Sequence, residues 1–374
     1  MKKILHISKY YFPFKGGVED VCKSLVDGMP EYEQKVLCFN EGPEDSIETI
    51  DGAEVIRKGI WKELCRQPLS TGFYAMLKRT IKEYNPDIIH IHVPNPLVSL
   101  CTCMLIPKHT KLVIHWHSDI IVQPVLYFFF RMIEQWSLHR ADKIIITSPN
   151  YLTLSAPLAK HKEKCVVVPN VVSLEKLKAS PNEEARIAEI KAAHGNKPIV
   201  FFMGRHVSYK GIPQLIESEQ YMKSDCKILI AGSGPMTPEL KEMAKDKDRI
   251  VFLGRIPDED ITAYMRAATV FAFPSITKNE AFGVVLAEAM YCGAVPVSFT
   301  IPGSGVNWVN VKDDTGLEVE NRNVKEYAAA VDKLINDEPL RMRLSKAARQ
   351  RVEKMFVMDA VKPMLKEAWE GKSE

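Results

Sequence analysis

At 374 residues, with 46% hydrophobic and 26% charged side chains, the chain is too long for one ordinary core and has the balance of a globular protein of two domains, roughly 150–200 residues each. That composition excludes disordered, collagen-like and coiled-coil classes. A net charge of +3 without a concentrated basic stripe gives no support to nucleic acid as a partner. Residues 1–170 hold 21 lysines and arginines against 18 acidic residues, and the remainder 29 against 29. The small positive excess of the first half suits an anionic membrane surface and equally suits chance.

Met1-Lys2-Lys3 leads into Ile4-Leu5-His6-Ile7, an apolar run too short for a secretory signal, so the expected location is the cytoplasm. Lys3–Ser8 reads as a strand, after which Val18, Val21, Leu25, Val26 and Met29 recur at helical spacing. Further strands are predicted at Val36–Phe39, Asp87–His92, Lys111–Trp116, Lys143–Thr147 and Cys165–Val168, with helices at Tyr74–Tyr84, Pro96–Leu105 and Pro124–Leu138. The greasiest segment, Ile120 to Trp136, is interrupted by Gln123, Pro124, Arg131 and Glu134 and falls short of the ~20 apolar residues of a membrane span. It reads as a buried helix; the sharper reading is a helix whose apolar face touches lipid or a lipid-linked acceptor.

At Pro169-Asn170 the pattern changes. A charged stretch, Ser173 to Lys197, leads into strands at Pro198–Met203, Lys227–Ala231, Ile250–Leu253, Thr269–Phe273 and Ala294–Val297, with helices starting near Gly211, Pro238, Asp258 and Gly283. Strands alternating with helices imply right-handed crossovers and parallel sheets. The expected fold class is therefore α/β: two doubly wound domains, residues 1–170 and 171–356, whose strand ends face a cleft. The tail from Val324 to Trp369 reads as two or three helices. Eight scattered cysteines without a CxxC, and Cys101-Thr102-Cys103 with the wrong spacing for zinc, read as buried thiols in a reducing compartment.

Four segments carry candidate chemistry. Pro274-Ser275 through Glu280-Ala281-Phe282-Gly283-Val284 to Glu288 follows a strand and opens a helix at a glycine, where free N–H groups and the positive helix end suit an anion. Glu288 lies about 9 Å along that helix, so the two carboxylates hold separate groups of a long ligand rather than one bond; otherwise they are a dipole-favoured glutamate and a solvent-facing one. Gly204-Arg205 and Lys210-Gly211 put two cations at a sheet's carboxyl edge, a pairing suited to a diphosphate or else a solvated basic loop. Lys15-Gly16-Gly17 stands at a helix start but is not the GxGxxG fingerprint, which counts against a nicotinamide dehydrogenase. His115 and His117 share a strand face, and His90-x-His92 repeats the spacing. With no third and fourth ligand evident, no metal is expected. Gly232-Ser233-Gly234 reads as a loop on the same ligand edge.

Together, Glu280-x7-Glu288 with Phe282-Gly283, Gly204-Arg205 before Lys210-Gly211, Gly16-Gly17 and the His117 segment resemble glycosyltransferase family 4, of the GT-B fold. Phe252-Leu253-Gly254, Pro274-Ser275, Pro169-Asn170 and Gly293 before Pro296-Val297 lie in the order that family shows. The resemblance implies a retaining, metal-independent transferase that takes a UDP- or GDP-sugar and no further cofactor. Arg205 and Lys210 would then neutralise the donor diphosphate, Gly283, Phe282 and Val284 would add backbone N–H groups, and Glu280 would hold sugar hydroxyls. Glu288 would take the ribose, Gly254 and Arg255 would lie near the base, Gly16, Gly17 and Gly204 would approach the phosphates, and His117 would meet the sugar. The implied acceptor is a growing, lipid-linked glycan of a bacterial polysaccharide or lipopolysaccharide, with peripheral contact to the inner face of the plasma membrane. A small acceptor such as a sugar phosphate or phosphatidylinositol, or a non-catalytic GT-B partner subunit, are the alternatives. The family's final helix returns to the first domain, which assigns residues 357–374 there. Where the family often has His-Asp, this chain has His117-Ser118-Asp119.

Overall fold

The computed structural model describes all residues except 15, 65–66, 121–123 and 372–374. They form two compact units, Met1–Val171 with Met358–Glu374, and Val172–Val357.

The first unit is built on β1 (Lys3–Ile7), β2 (Glu33–Phe39), β3 (Ser46–Ile50), β4 (Ala53–Lys58), a small hairpin of β5 (Lys62–Leu64) and β6 (Gln67–Leu69), β7 (Ile88–Val93), β8 (Lys111–Trp116), β9 (Lys143–Ile146) and β10 (Cys165–Val167). Among the described residues, eight strands make one sheet in the order β10-β9-β8-β7-β1-β2-β4-β3, parallel throughout except for β3 against β4. The crossovers carry α1 (Gly17–Gly28), α2 (Phe73–Tyr84), α3 (Pro96–Leu105), α4 (Pro124–Arg140) and α5 (Pro149–Leu154). Asn95 caps α3, its side-chain oxygen accepting from Val98 N at 3.3 Å with Pro96 at the first helical position. Ile4, Leu5, Ile7, Ile89, Ile91, Val113 and Ile114 are fully buried, as strands covered on both faces require.

The second unit follows the same plan: α6 (Glu183–Ala193), β11 (Ile199–Met203), α7 (Ile212–Ser218), β12 (Lys227–Ala231), α8 (Thr237–Met243), β13 (Ile250–Gly254), α9 (Asp258–Ala267), β14 (Val270–Phe273), α10 (Val284–Cys292), β15 (Val295–Phe299), α11 (Val306–Val309), β16 (Leu317–Val319), α12 (Val324–Asn336) and α13 (Glu338–Met355). Its parallel sheet runs β13-β12-β11-β14-β15-β16. The last helix, α14 (Met358–Glu370), packs on the first unit's β8, β9 and β10. Its Val361, Leu365, Ala368 and Trp369 share a core with Ile4, Val21, Leu25, Ile88, Val113 and Ile145.

The structure departs from the sequence expectation in several regions. Strands β3 to β6 and β16 and the short helices α5 and α11 were not anticipated; β3, Ser46–Ile50, lies on an open sheet edge, half-exposed or exposed throughout, and so carries no apolar run. The charged stretch after residue 173 holds α6, whose face is only sparsely buried, by Glu183 and Ile190. The described cysteines also divide: Cys22, Cys38, Cys101 and Cys226 are buried, whereas Cys103, Cys165 and Cys292 are only half-buried, and Cys65 lies outside the described residues.

Candidate active site

The site residues of the second unit gather at the carboxyl ends of β11 and β14. After β11 the chain makes a tight turn over Ser208–Lys210 and reaches Gly211 at φ +63°. A Cβ there would lie 1.9 Å from the Pro274 carbonyl oxygen, so only glycine lets the two loops touch. Ile276 N donates to Tyr209 O at 2.9 Å and locks that approach.

The consequence is an ion pair. Lys210 Nζ lies 2.5 Å from Glu280 Oε2, with both side chains about nine-tenths buried. Ser275 Oγ donates to the same carboxylate oxygen at 3.1 Å, and Ser304 Oγ donates to the Glu280 carbonyl. Burial pushes the Lys210 ammonium down, but the Glu280 carboxylate more than offsets it and the group is held above the usual lysine range. Lys210 also stands 5.3 Å over the Phe273 ring. Three residues after Glu280, Gly283, φ +87°, caps the start of α10, and a Cβ there would meet Phe273 Cζ at 2.9 Å. The first N–H groups of α10 have no acceptor within the helix and carry its positive end.

The remaining second-unit residues take different positions. Arg205 and Arg255 are exposed, and Glu288 and Val284 are half-buried. The Phe282 side chain turns into the core against Trp308 and Phe356, at 6.3 and 5.3 Å between ring centroids, so only its backbone is left for a ligand. Gly204 and Gly254 are tied through the glycine loop: Gly204 N donates to Ala231 O at 3.2 Å and Gly232 N to Gly254 O at 2.7 Å. A Cβ on Gly232 would strike Gly204 O at 2.0 Å. The 232–234 loop is thus part of the packed ligand edge.

In the first unit, Lys15 lies outside the described residues. At Gly16, the start of α1, the Glu19 carboxylate folds back so that a Cβ on Gly16 would sit 2.3 Å from its Oε2. A helix-start position expected to take phosphate therefore holds the chain's own carboxylate, three residues on, as in a capping box. Glu19 is 7% exposed, and burial raises its pKa. Gly17 is different: a Cβ there would meet nothing within 4 Å.

His117 directly follows β8, and its Nε2 lies 2.9 Å from Nδ1 of His92 at the end of β7. It belongs to a buried array, because cross-strand register sets His6 beside His90 and His92 beside His115. Ring centroids are 5.1 Å apart for His6–His90, 4.9 Å for His90–His92, 5.2 Å for His92–His115 and 4.3 Å for His115–His117. Burial pushes every one of these imidazoles down, His6 to about 4 and His117 to about 3, and the array is neutral at physiological pH. His92, His115 and His117 bring ligand atoms within 4.8 Å of one another. His92 and His117 are joined there by the 2.9 Å hydrogen bond. Asp119 serves as a clamp: Trp116 Nε1 and Ser155 Oγ donate to its Oδ1 at 3.0 and 2.7 Å, and its N–H donates to Tyr151 Oη at 2.6 Å.

A small cavity lined by Asn95, Trp116, Ile120, Ile133 and Glu134 has about 20 Å³ of open volume, room for one water. Burial raises Glu134 to about 7, and Tyr127 Oη donates to it at 2.7 Å. Among the described residues no helix is long and apolar enough to cross a membrane.

The Glycosyltransferase Family 4 model matches residues 15–176, and the Glycosyl transferases group 1 model residues 183–351. The chain belongs to these glycosyltransferases. O-antigen chain mannosyltransferase C of Escherichia coli is 27% identical over 362 residues, 96% of this chain and 95% of that one. D-rhamnosyltransferase WbpZ of Pseudomonas aeruginosa is 28% identical over 361 residues, 95% and 92% of the two chains. Sucrose-phosphate synthase of Thermosynechococcus elongatus superposes with a TM-score of 0.80 at 20% identity, over 99% of this chain and 98% of that one, a likeness of fold. The fold of the transferase is GT-B.

Reading the transferase from sequence missed Ser275, Ser304 and His92 as partners of Glu280 and His117. Ser275 stands in the quoted segment and His92 repeats the HxH spacing, so both left a trace; Ser304, 24 residues from Glu280, left none.

Proposed function

We propose that the transferase moves a hexose from a UDP- or GDP-sugar to a growing, lipid-linked glycan of a bacterial surface polysaccharide, with retention of configuration and without a metal ion. The observation that carries this reading is the buried Lys210–Glu280 pair beside the open N-terminus of α10. It sets a fixed cation and a hydroxyl-binding carboxylate side by side, as a sugar linked to a diphosphate requires.

In this reaction the bond from the anomeric carbon to the diphosphate oxygen breaks, and the acceptor oxygen attaches to the same face. The acceptor proton passes to the departing phosphate, so no protein nucleophile is needed. Lys210, exposed Arg205 and the α10 N–H groups of 283–285 stabilise the charge that develops on the leaving group. Glu280 takes the sugar hydroxyls and Glu288 the ribose, Gly254 and Arg255 border the base, Gly204 and Gly17 leave room for phosphate, and His117 meets the sugar. The O-antigen chain mannosyltransferase among its relatives supports a surface-glycan acceptor. The proposed location is the cytoplasm, resting on the inner face of the plasma membrane; Met132 and Trp136 on α4, 80% and 43% exposed, are apolar groups such a contact uses.

Donor binding and hydrolysis across UDP-, GDP-, ADP- and dTDP-sugars, followed by NMR with and without EDTA, test the reading. One UDP- or GDP-sugar should be selected, EDTA should change nothing, and Glu280→Ala should lose the sugar nucleotide far more than the free nucleotide. Equal loss of both would refute the hydroxyl role, no binding by the wild type would refute the donor class, and abolition by EDTA would refute metal independence.

A further inference from the structure

The histidine array raises a question that geometry answers: on which nitrogen does His117 carry its proton? Its Nε2 is engaged by His92 Nδ1 at 2.9 Å, so Nδ1 is the atom left for a ligand. Five nitrogens of the array are buried without a partner: His6 Nδ1, His90 Nε2, His92 Nε2 and both nitrogens of His115. Each neutral ring has one donor and one acceptor.

Two tautomers are set by neighbours whose polarity is known. Gln34 Nε2 donates to the carbonyls of Val26 and Met29 at 2.8 and 2.9 Å, so its Oε1 faces His6 Nε2 at 3.0 Å as an acceptor. His6 therefore carries Nε2–H and turns a bare Nδ1 into the array. Trp369 Nε1, a donor only, points at His90 Nδ1 at 3.3 Å. His90 therefore carries Nε2–H, a buried donor seeking an acceptor.

Counting what remains decides His92. If His117 Nε2–H donates to His92 Nδ1, then His92 must hold its proton at Nε2. The unpartnered set would then contain three N–H groups (His90, His92, one of His115), each stranded without an acceptor. If instead His92 Nδ1–H donates to His117 Nε2, only two N–H groups are stranded (His90, one of His115) and the other three nitrogens are bare. A stranded buried N–H is the rarer and costlier defect.

We infer that His92 is a positioning residue that fixes His117 as the Nδ1–H tautomer, so that His117 offers the substrate a hydrogen-bond donor and not a base. This rests on the reading above that His117 meets the sugar; the tautomer itself does not. A donor at that place fits a sugar hydroxyl oxygen, and its proton stays on the ring throughout the turnover.

Two-bond ¹⁵N–¹H NMR of the full chain with ¹⁵N-labelled histidine reads each ring's tautomer directly. His117 should show Nδ1–H with a bare Nε2; Nε2–H on His117 in the wild type would overturn the inference. The δ atom of an asparagine overlays Nδ1 of histidine, so His92→Asn keeps a donor there and His92→Phe removes it. His92→Phe should leave His117 as a tautomer mixture and lower kcat/KM by about tenfold, the worth of one hydrogen bond, with the asparagine variant recovering most of both. Wild-type tautomer and turnover in His92→Phe would refute the positioning role. Undiminished donor turnover in His117→Ala, with the tautomer as expected, would refute the substrate contact and leave the ring assignment standing.

Discussion

The two units face the same problem, titratable groups buried at a sheet's carboxyl edge, and solve it in opposite ways. The second unit keeps its groups charged and in contact: Lys210 and Glu280 share a 2.5 Å ion pair held by Ser275. The first unit keeps its groups neutral: five imidazoles line β1, β7 and the end of β8, with burial suppressing their protonation. An ion pair depends on its partner, and losing one side strands the other. A neutral array depends on the proton concentration outside, because any ring that charges must do so without a counter-ion.

The harshest way to break this contrast is Lys210→Ala. It should lower kcat/KM by ~10²-fold or more, as loss of a transition-state charge partner does, and cost about 3–5 kcal/mol of folding stability by stranding Glu280. Steady-state kinetics and denaturant titration check both, and normal stability would show that the pair is not held as tightly as its burial indicates.

Acid should act on the other unit. An unfolded histidine titrates near 6.5, whereas folded His6 does so at about 4 and His117 at about 3. Below pH 6.5 the unfolded chain takes up protons that the folded chain refuses, so stability is complete above 6.5 and drains away as pH falls toward 3. At pH 5 that amounts to ~2 kcal/mol for each of these two rings. Lys210, its pKa raised, stays charged throughout this window. Hydrogen exchange at pH 7.5 and pH 5 should therefore show β1, β7 and β8 losing protection before β11 and β14; simultaneous loss would erase the distinction.

The smallest expected effect sharpens the comparison from within the second unit. Arg205, exposed, should behave as a catalytic charge with no structural duty. Arg205→Ala should cost about tenfold in kcat/KM, one charge-assisted hydrogen bond, with the melting temperature unchanged. A clear drop in melting temperature would place it with Lys210.

The central strands were legible in sequence because strands covered on both faces read as unbroken apolar runs; Lys111–Trp116 and Lys227–Ala231 have the bounds that pattern predicts. Edge strand β3 was not, since its exposed Glu48 and Thr49 leave no such run. Within the candidate site, the position of Lys210 after one strand and Glu280 after another could be read. Their contact could not, because it depends on Gly211 allowing a loop to reach Pro274, 63 residues away. The repeated HxH spacing was visible, yet the array it forms depends on the register of three strands.

The position of α14 has a consequence for how the polypeptide is made. Trp369, 1% exposed, closes the core around His6 and His90, and α14's Val361 and Leu365 share a core with Ile4 and Val113. Domains fold as their residues leave the ribosome, N-terminal first. Here the first 171 residues emerge with that surface bare and must wait for the whole second unit to be synthesised before the covering helix arrives. The second unit, last to start, is first to have all its parts.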